Sequence, residues 1–263
     1  MQRDNKSEDW LEEHTRVRLM RSGLGAIGII AALLMGCGAS DAPPSQSDTG
    51  STRSQTVTES LEAETVIVAL GNSLTEGLNV DPQQAYPAQL QRKLRGQGYD
   101  VKVINAGIAG ETSAGSLARA DWILKLQPDV VILETGANDG LRGGDLQTMF
   151  ENIDRLIARL KSEGVTVVLA GMQIVQNMGQ EYAGEFRDVY IRLAEKHGVV
   201  LIPFFLEGVA ANQQLNQADG IHPTAEGYSV VVKNVLPHIR KVLDEQESPA
   251  VGEKAVAPLP SEN

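Results

Sequence analysis

Four short motifs hold most of the side chains in this sequence that could do chemistry. They read GNSLTEG at 71–77, NAGIAG at 105–110, GANDG at 136–140 and DGIHP at 219–223. In this order they supply a hydroxyl, a glycine backbone, a primary amide and an imidazole. Acyl-transfer chemistry uses these groups as nucleophile, oxyanion donors and base. We therefore expect one catalytic site assembled from all four motifs.

Ser73 is the candidate nucleophile, and a serine hydroxyl needs an adjacent base near neutral pH. His222 is the best-placed base. The other histidines lie in the N-terminal segment, at a helix end and within the last predicted helix: His14, His197 and His238. Asp219 can fold back across its glycine-containing turn and accept a hydrogen bond from the His222 imidazole, which fixes the tautomer. Pro223 holds His222 in extended backbone at a helix entrance.

Three groups could donate hydrogen bonds to a developing oxyanion. They are the backbone N–H of Ser73, the backbone N–H of Gly107 and the side-chain amide of Asn138. A glycine lets the chain approach substrate closely because it has no Cβ. An amide donates without carrying a charge that would be costly to desolvate. We predict an oxyanion hole from these three residues.

Each motif also has a purely structural interpretation. Asn72 and Ser73 could cap a helix, the Asn-Asp-Gly at 138–140 could be a turn, and 219–223 could be a loop leading into a helix. Taken alone, the first and third of these segments favour the structural interpretation. Their occurrence together at strand exits and loop ends favours the catalytic interpretation.

The elements that must position these motifs follow from the hydrophobic pattern. Between residues 65 and 245, nearly continuous apolar runs alternate with segments of helical period. Strands are predicted at 65–70, 101–105, 130–134, 166–170 and 199–203, and helices at 85–95, 113–126, 146–163, 181–197 and 224–243. Continuous apolar strands are typical of a parallel sheet covered on both faces. We predict one α/β domain, a three-layer α/β/α sandwich with a five-stranded parallel sheet, whose carboxyl edge carries the motifs.

The four motifs in this order closely resemble those of the SGNH hydrolases, also called GDSL-type esterases. The resemblance covers essentially the whole of residues 65–243 and includes the runs GANDGLRG and DGIHP. Within the family it points to the bacterial arylesterase and acyl-CoA thioesterase/lysophospholipase group. It implies a flavodoxin-like fold and a serine esterase or thioesterase with a catalytic triad of Ser73, Asp219 and His222.

Two departures and two segments bear on how such a site would work. Asn72 stands where the family usually has Asp, and the motif is not the Gly-x-Ser-x-Gly elbow of other hydrolases, because Thr75 occupies its last position. By the resemblance, residues 141–146 and 171–182 flank the substrate. Apolar side chains of the second segment could line an acyl pocket or belong to the core: Met172, Ile174, Val175 and Met178.

Charge and cysteine content argue against several other functions. The chain has 263 residues, 23 Lys+Arg against 34 Asp+Glu, and a net charge of -11, with no basic stripe for nucleic acid. One cysteine and four histidines exclude a disulfide framework and an ordinary Cys/His zinc site. The run GLGAIG at 23–28 fits the dinucleotide-binding glycine pattern but lies in an N-terminal apolar segment without the required βαβ context. We expect no cofactor and no metal.

The N-terminal segment predicts secretion and lipidation. Residues 22–40 carry no charge, the apolar run at 23–35 is shorter than the roughly 20 residues of a membrane span, and LMGC at 34–37 resembles a bacterial lipobox. We predict a signal peptide at 1–36, lipidation of Cys37, a flexible linker at 37–64, the catalytic domain at 65–245 and a disordered tail at 246–263. An uncleaved anchor or a Sec signal that holds a cysteine is the alternative. The acidic stretch at 4–13 is unusual for a signal peptide, and a start at Met20 would exclude it.

These observations predict a lipid-anchored esterase of the bacterial cell envelope, facing outside the cytoplasm, that acts on small-molecule ester or lipid substrates. Two other functions remain open at this stage. One is a carbohydrate O-acetylesterase with the same chemistry, and the other is a catalytically silent envelope lipoprotein.

Overall fold

The computed structural model describes residues 64–174 and 179–247. The predicted signal peptide, Cys37, the linker up to residue 63 and the tail beyond residue 247 lie outside the described residues. Among the described helices, none is long and apolar enough to cross a membrane.

The described part of the chain forms a parallel sheet of strands β1 to β5 in the order β2-β1-β3-β4-β5. The strands are β1 (Thr65–Gly71), β2 (Val101–Gly107), β3 (Val130–Leu133), β4 (Thr166–Ala170) and β5 (Val200–Ile202). The five-stranded α/β prediction is therefore confirmed. Residues of both pleat directions are buried in β1, β3 and β4, which explains why these segments read as continuous apolar runs.

Helices α1 to α8 connect and cover the strands. They are α1 (Ser73–Glu76), α2 (Tyr86–Arg95), α3 (Ser113–Ala118), α4 (Ala120–Lys125), α5 (Ala137–Leu141), α6 (Leu146–Ser162), α7 (Gln180–His197) and α8 (Ala225–Glu247). The predicted helix at 113–126 is divided at Arg119, whose backbone leaves helical geometry at φ -105° and ψ 15°. Its guanidinium donates to the carbonyls of Gly71 and Ala106 at the ends of β1 and β2.

The order of the strands fixes the layers. The chain moves from β1 to β2 in one direction and from β2 through β3, β4 and β5 in the other. Right-handed crossovers then put α2 on one face and α3, α6 and α7 on the other. In agreement, α2 packs against α8, while α6 packs against α3 and α7. All five strands run parallel, so their carboxyl ends lie at one edge of the sheet.

Candidate active site

Ser73 lies at the exit of β1, as the first residue of the single-turn helix α1. Asn72 caps this helix, because its Oδ1 accepts a hydrogen bond from Leu74 N at 2.9 Å. The helix ends after one turn at Gly77, which has a φ of 83°. The cap by Asn72 is therefore compatible with the catalytic role predicted for Ser73, since the cap orients the turn that presents the hydroxyl.

The structure brings Ser73, His222 and Asp219 into one hydrogen-bonded chain. Ser73 Oγ lies 2.9 Å from His222 Nε2, and His222 Nδ1 lies 2.7 Å from Asp219 Oδ2. Ser73 and His222 are 149 positions apart, so only the fold puts them together. A serine hydroxyl facing one imidazole nitrogen and a carboxylate facing the other is the arrangement that activates serine for attack on a carbonyl.

Hydrogen bonds within the turn, rather than burial, determine the charge of Asp219. Its side chain is 40% exposed, and its Oδ1 accepts from the backbone N–H groups of Ile221 and His222 at 2.9 and 3.0 Å. The backbone N–H of His222, its imidazole and the N–H of Ile221 lower the pKa of Asp219 to about 2. Asp219 is therefore ionised at neutral pH, and because an ionised carboxylate can only accept, it accepts from His222 Nδ1 and orients Nε2 toward Ser73 Oγ.

Gln217 ties the histidine loop to the nucleophile. Its backbone N–H donates to His222 O at 2.7 Å, and its side-chain amide donates to Leu78 O at 2.8 Å and to Pro223 O at 3.0 Å. Leu78 in turn donates its N–H to Ser73 O. No role was predicted for Gln217 from the sequence, because a single glutamine in a loop forms no recognisable pattern.

Asn138 lies in the short helix α5, directly after β3. Its Nδ2 donates to Glu111 O in the loop after β2 at 3.0 Å, which leaves its second N–H for another acceptor. The neighbouring Asp139 binds the same loop, with its carboxylate accepting from Ser113 N at 2.8 Å and from Ser113 Oγ at 2.6 Å. The segment 138–140 is therefore a helical turn that ties two strand exits together, rather than an isolated turn.

The structure corrects the prediction that Gly107 supplies an oxyanion donor. Its N–H is already donated to Asn105 Oδ1 at 2.9 Å. A Cβ at this position would overlap the backbone of α1 at Glu76, so close packing against α1 is what requires a glycine here. Among the described residues, the N–H groups of Ser73 and of Gly110, which has a φ of 76°, have no acceptor. The second glycine of the NAGIAG motif was the signal that sequence reasoning passed over.

A fully buried carboxylate lies directly behind the nucleophile turn. Glu134 follows β3, and its oxygens accept from Asn72 Nδ2, Asn72 N and Thr75 Oγ1 at 2.6, 3.2 and 3.0 Å. Burial raises its pKa to about 7, against the effect of these donors. From the sequence, Glu134 was predicted only as the last residue of a strand. A charged residue in an apolar run indicates a buried, paired side chain, because such groups are almost never fully buried unless they are paired.

Exposed apolar side chains lie on three of the segments that carry the predicted site residues. Ile108 after β2, Leu141 at the end of α5 and Ile221 beside His222 are 49%, 43% and 47% exposed. Of the residues considered for an acyl pocket, Met172 belongs to the buried core and Ile174 lies close to Gly140. Val175 and Met178 lie outside the described residues.

A parallel α/β sheet with a hydrogen-bonded Ser–His–Asp set at its carboxyl edge defines the class of the molecule, a serine hydrolase. Residues 69–230 match the GDSL-like Lipase/Acylhydrolase family. The chain belongs to this family, which confirms the resemblance seen in the four motifs.

Proteins similar to this chain include named esterases. Esterase TesA of Pseudomonas aeruginosa is 39% identical over 188 residues, which is 71% of this chain and 93% of that protein. A crystal structure of a protein named TesA is 38% identical with a TM-score of 0.66, over 67% of this chain and 99% of that one. Arylesterase of Vibrio mimicus is 36% identical over 69% of this chain and 92% of that protein. The psychrotrophic esterase EstA from Pseudoalteromonas sp., in a structure inhibited by monoethylphosphonate, is 30% identical with a TM-score of 0.65, over 68% of this chain and 98% of that one.

Proposed function

We propose that this protein hydrolyses carboxylic esters and thioesters through an acyl-enzyme on Ser73. The observation that carries the proposal is the continuous chain from Ser73 Oγ through the two nitrogens of His222 to Asp219, at 2.9 and 2.7 Å. The named esterases among its relatives support the same reaction class.

The reaction proceeds in two half-reactions. Ser73 Oγ attacks the ester carbonyl carbon while its proton moves to His222 Nε2, and the tetrahedral intermediate then collapses as His222 returns this proton to the leaving alcohol or thiol. In the second half-reaction His222 takes a proton from water, the hydroxide attacks the acyl carbon, and Ser73 leaves with the proton. Asp219 stays ionised throughout and stabilises the imidazolium.

For the oxyanion hole, we assign the N–H groups of Ser73 and Gly110 and the second N–H of Asn138. The assignment rests on the two backbone groups having no acceptor among the described residues and on the Asn138 amide lying against the Gly110–Glu111 segment. Such preorganised donors act where negative charge develops in the transition state.

The acyl group is proposed to be apolar. The exposed side chains of Ile108, Leu141 and Ile221 lie on the same segments as Gly110, Asn138 and His222, and an apolar acyl chain would remove them from water. A carbohydrate O-acetylesterase would instead need polar partners for a sugar.

A hydrolysis panel tests the proposal. We would measure kcat/KM for p-nitrophenyl esters from acetyl to palmitoyl, together with an acyl-CoA, a lysophospholipid and an acetylated xylan, using the Ser73→Ala variant as the background. We expect hydrolysis of acyl esters above that background and a preference for chains longer than acetyl. Activity confined to the acetylated xylan would support the O-acetylesterase, and a panel with no activity above background would support a silent lipoprotein.

We further propose that Cys37 is lipidated and that the chain is held at the outer side of a bacterial membrane. This proposal rests on the sequence pattern around residues 16–37, and the uncharged, Ser/Thr-rich character of much of the segment that follows suits a tether between lipid and domain.

A further inference from the structure

Glu134 accepts hydrogen bonds from residues on both sides of the nucleophile in the chain. Its Oε1 accepts from the Asn72 side chain, and its Oε2 accepts from the Asn72 backbone and the Thr75 hydroxyl. Ser73 stands between these two residues, so each hydrogen bond fixes the backbone that aims its Oγ. The contacts span about sixty positions of sequence and connect α1 to the end of β3, independently of the hydrogen bonds within the helical turn.

Gly71 provides the room for this contact. A Cβ on Gly71 would lie 2.6 Å from Glu134 Oε2 and would also overlap Thr75 Oγ1. Both contacts are far shorter than van der Waals separations. The glycine of the GNSL motif is therefore explained by the carboxylate behind it.

The Asn72 amide can satisfy its surroundings in one orientation only. Its oxygen accepts from Leu74 N and its nitrogen donates to Glu134 Oε1, at 2.9 and 2.6 Å. Reversing the amide would put its NH₂ against the Leu74 N–H and its oxygen against a carboxylate oxygen. A carboxylate at position 134 therefore matches an amide at position 72, and both groups are buried.

We propose that Glu134 is a positioning residue for the nucleophile and that Asn72 and Glu134 form a matched amide–carboxylate pair that carries at most one charge; the proposal rests on the proposed role of Ser73. With the Asp that the family usually has at position 72, two carboxylates would face each other at the same separation. Such a pair holds together only while it shares a proton.

Above neutral pH, the other groups that face Glu134 are either uncharged or paired with an opposite charge. Three buried tyrosines face it from the surrounding helices: Tyr86 on α2, Tyr190 on α7 and Tyr228 on α8. Burial raises the pKa of each tyrosine, so they stay neutral up to pH 10. Burial is also the main cause of the raised pKa of Glu134, and the nearby Glu111, which is itself paired with Arg119 at 2.6 Å, adds to it.

Exchanging the two groups tests the proposal. In Glu134→Gln an amide nitrogen faces the Asn72 amide nitrogen, so a buried donor loses its acceptor. In the double variant Asn72→Asp/Glu134→Gln, the introduced amide oxygen accepts from the backbone N–H at position 72 and from Thr75. Its nitrogen donates to the introduced carboxylate, which still accepts from Leu74 N. The exchange therefore restores every hydrogen bond with one charge.

We would measure kcat, KM and thermal unfolding for the native full chain, the two single variants and the exchange variant between pH 6 and 10. Glu134→Gln is expected to lower kcat about tenfold or more with KM nearly unchanged, and the exchange to return kcat to within about threefold of native. Asn72→Asp is expected to stay within about tenfold of native near pH 7 and to lose activity at alkaline pH, where the native protein and the exchange variant do not.

Two results would overturn the proposal: an exchange variant no better than Glu134→Gln, or a native kcat in Glu134→Gln. If Glu134→Gln does not fold, the pH profile of Asn72→Asp decides, and a flat alkaline profile in a folded protein overturns the pairing. A failure of the proposed function is separately visible, because Ser73→Ala would then keep its activity in the same assay.

Discussion

The two halves of the active site are held in opposite ways. Ser73 is supported by contacts that are distant in sequence: β1 hydrogen-bonds to β2 and β3, and Glu134 lies fully buried behind it. His222 and Asp219 are three residues apart in an exposed turn, and Asp219 binds both the ring and the backbone of His222.

This difference indicates where precision comes from in such a site. The sheet determines the position of Ser73, so substitutions around this residue should affect folding and activity together. A local turn, joined to Leu78 through Gln217, determines the position of His222. Substitutions in this turn should therefore lower activity and leave the fold intact.

The largest effect is expected when the reacting group of either half, Ser73 or His222, is removed. Ser73→Ala and His222→Ala should each lower kcat by about 10⁴-fold or more, and the double variant should be no worse than either single variant, because nucleophile and base act as one unit. Steady-state kinetics on a p-nitrophenyl ester measure this. A double variant with multiplied losses would show that the halves act separately.

The next largest effect is expected at Asp219, where a substitution should lower activity and leave the fold intact. Asp219→Asn should lower kcat by about 10³-fold, since the imidazole loses its orienting carboxylate, while the melting temperature at pH 7 changes little because the side chain is exposed. The lowered pKa of Asp219 means that its contribution to stability is present above about pH 4 and is lost as pH falls toward 2. The small difference in melting temperature between the native protein and the variant should therefore vanish as the pH falls to about 2. A large loss of stability at pH 7 would contradict the local-turn account.

A smaller effect is expected at Asn138, the side chain assigned as an oxyanion donor. Asn138→Ala should lower kcat by about 10² to 10³ with KM nearly unchanged, as expected for an interaction that strengthens in the transition state. Asn138→Asp should be at least as harmful, because a carboxylate repels the oxyanion. Near-native turnover in a folded Asp variant would mean that Asn138 only shapes the helical turn.

The smallest effect on turnover is expected at the anchor, far along the chain from both halves. Cys37→Ser should move the protein from the membrane to the soluble fraction and leave kcat unchanged, because the lipid is not part of the site. Fractionation of cells that express either form measures this, with activity recorded in each fraction. Equal membrane retention of both forms would refute lipidation.

The same contrast explains what the sequence could predict. Strands that are apolar on both faces and motifs at their exits predicted the sheet, the order of the catalytic groups and the Asp219–His222 turn. The helices α1 and α5 are single turns without a readable period, and Glu134 gains its role only from a partner 62 residues away. The donor assigned to Gly107 was wrong because a glycine needed for packing and one needed for a free N–H look alike in sequence.

Covalent labelling of Ser73 tests whether this serine is the nucleophile that His222 activates. The full-length protein would be treated with a fluorophosphonate probe, digested, and the modified peptide identified by mass spectrometry. We expect one adduct on Ser73 that is strongly reduced in His222→Ala and absent in Ser73→Ala. An adduct on another serine, or undiminished labelling of Ser73 without His222, would contradict this expectation.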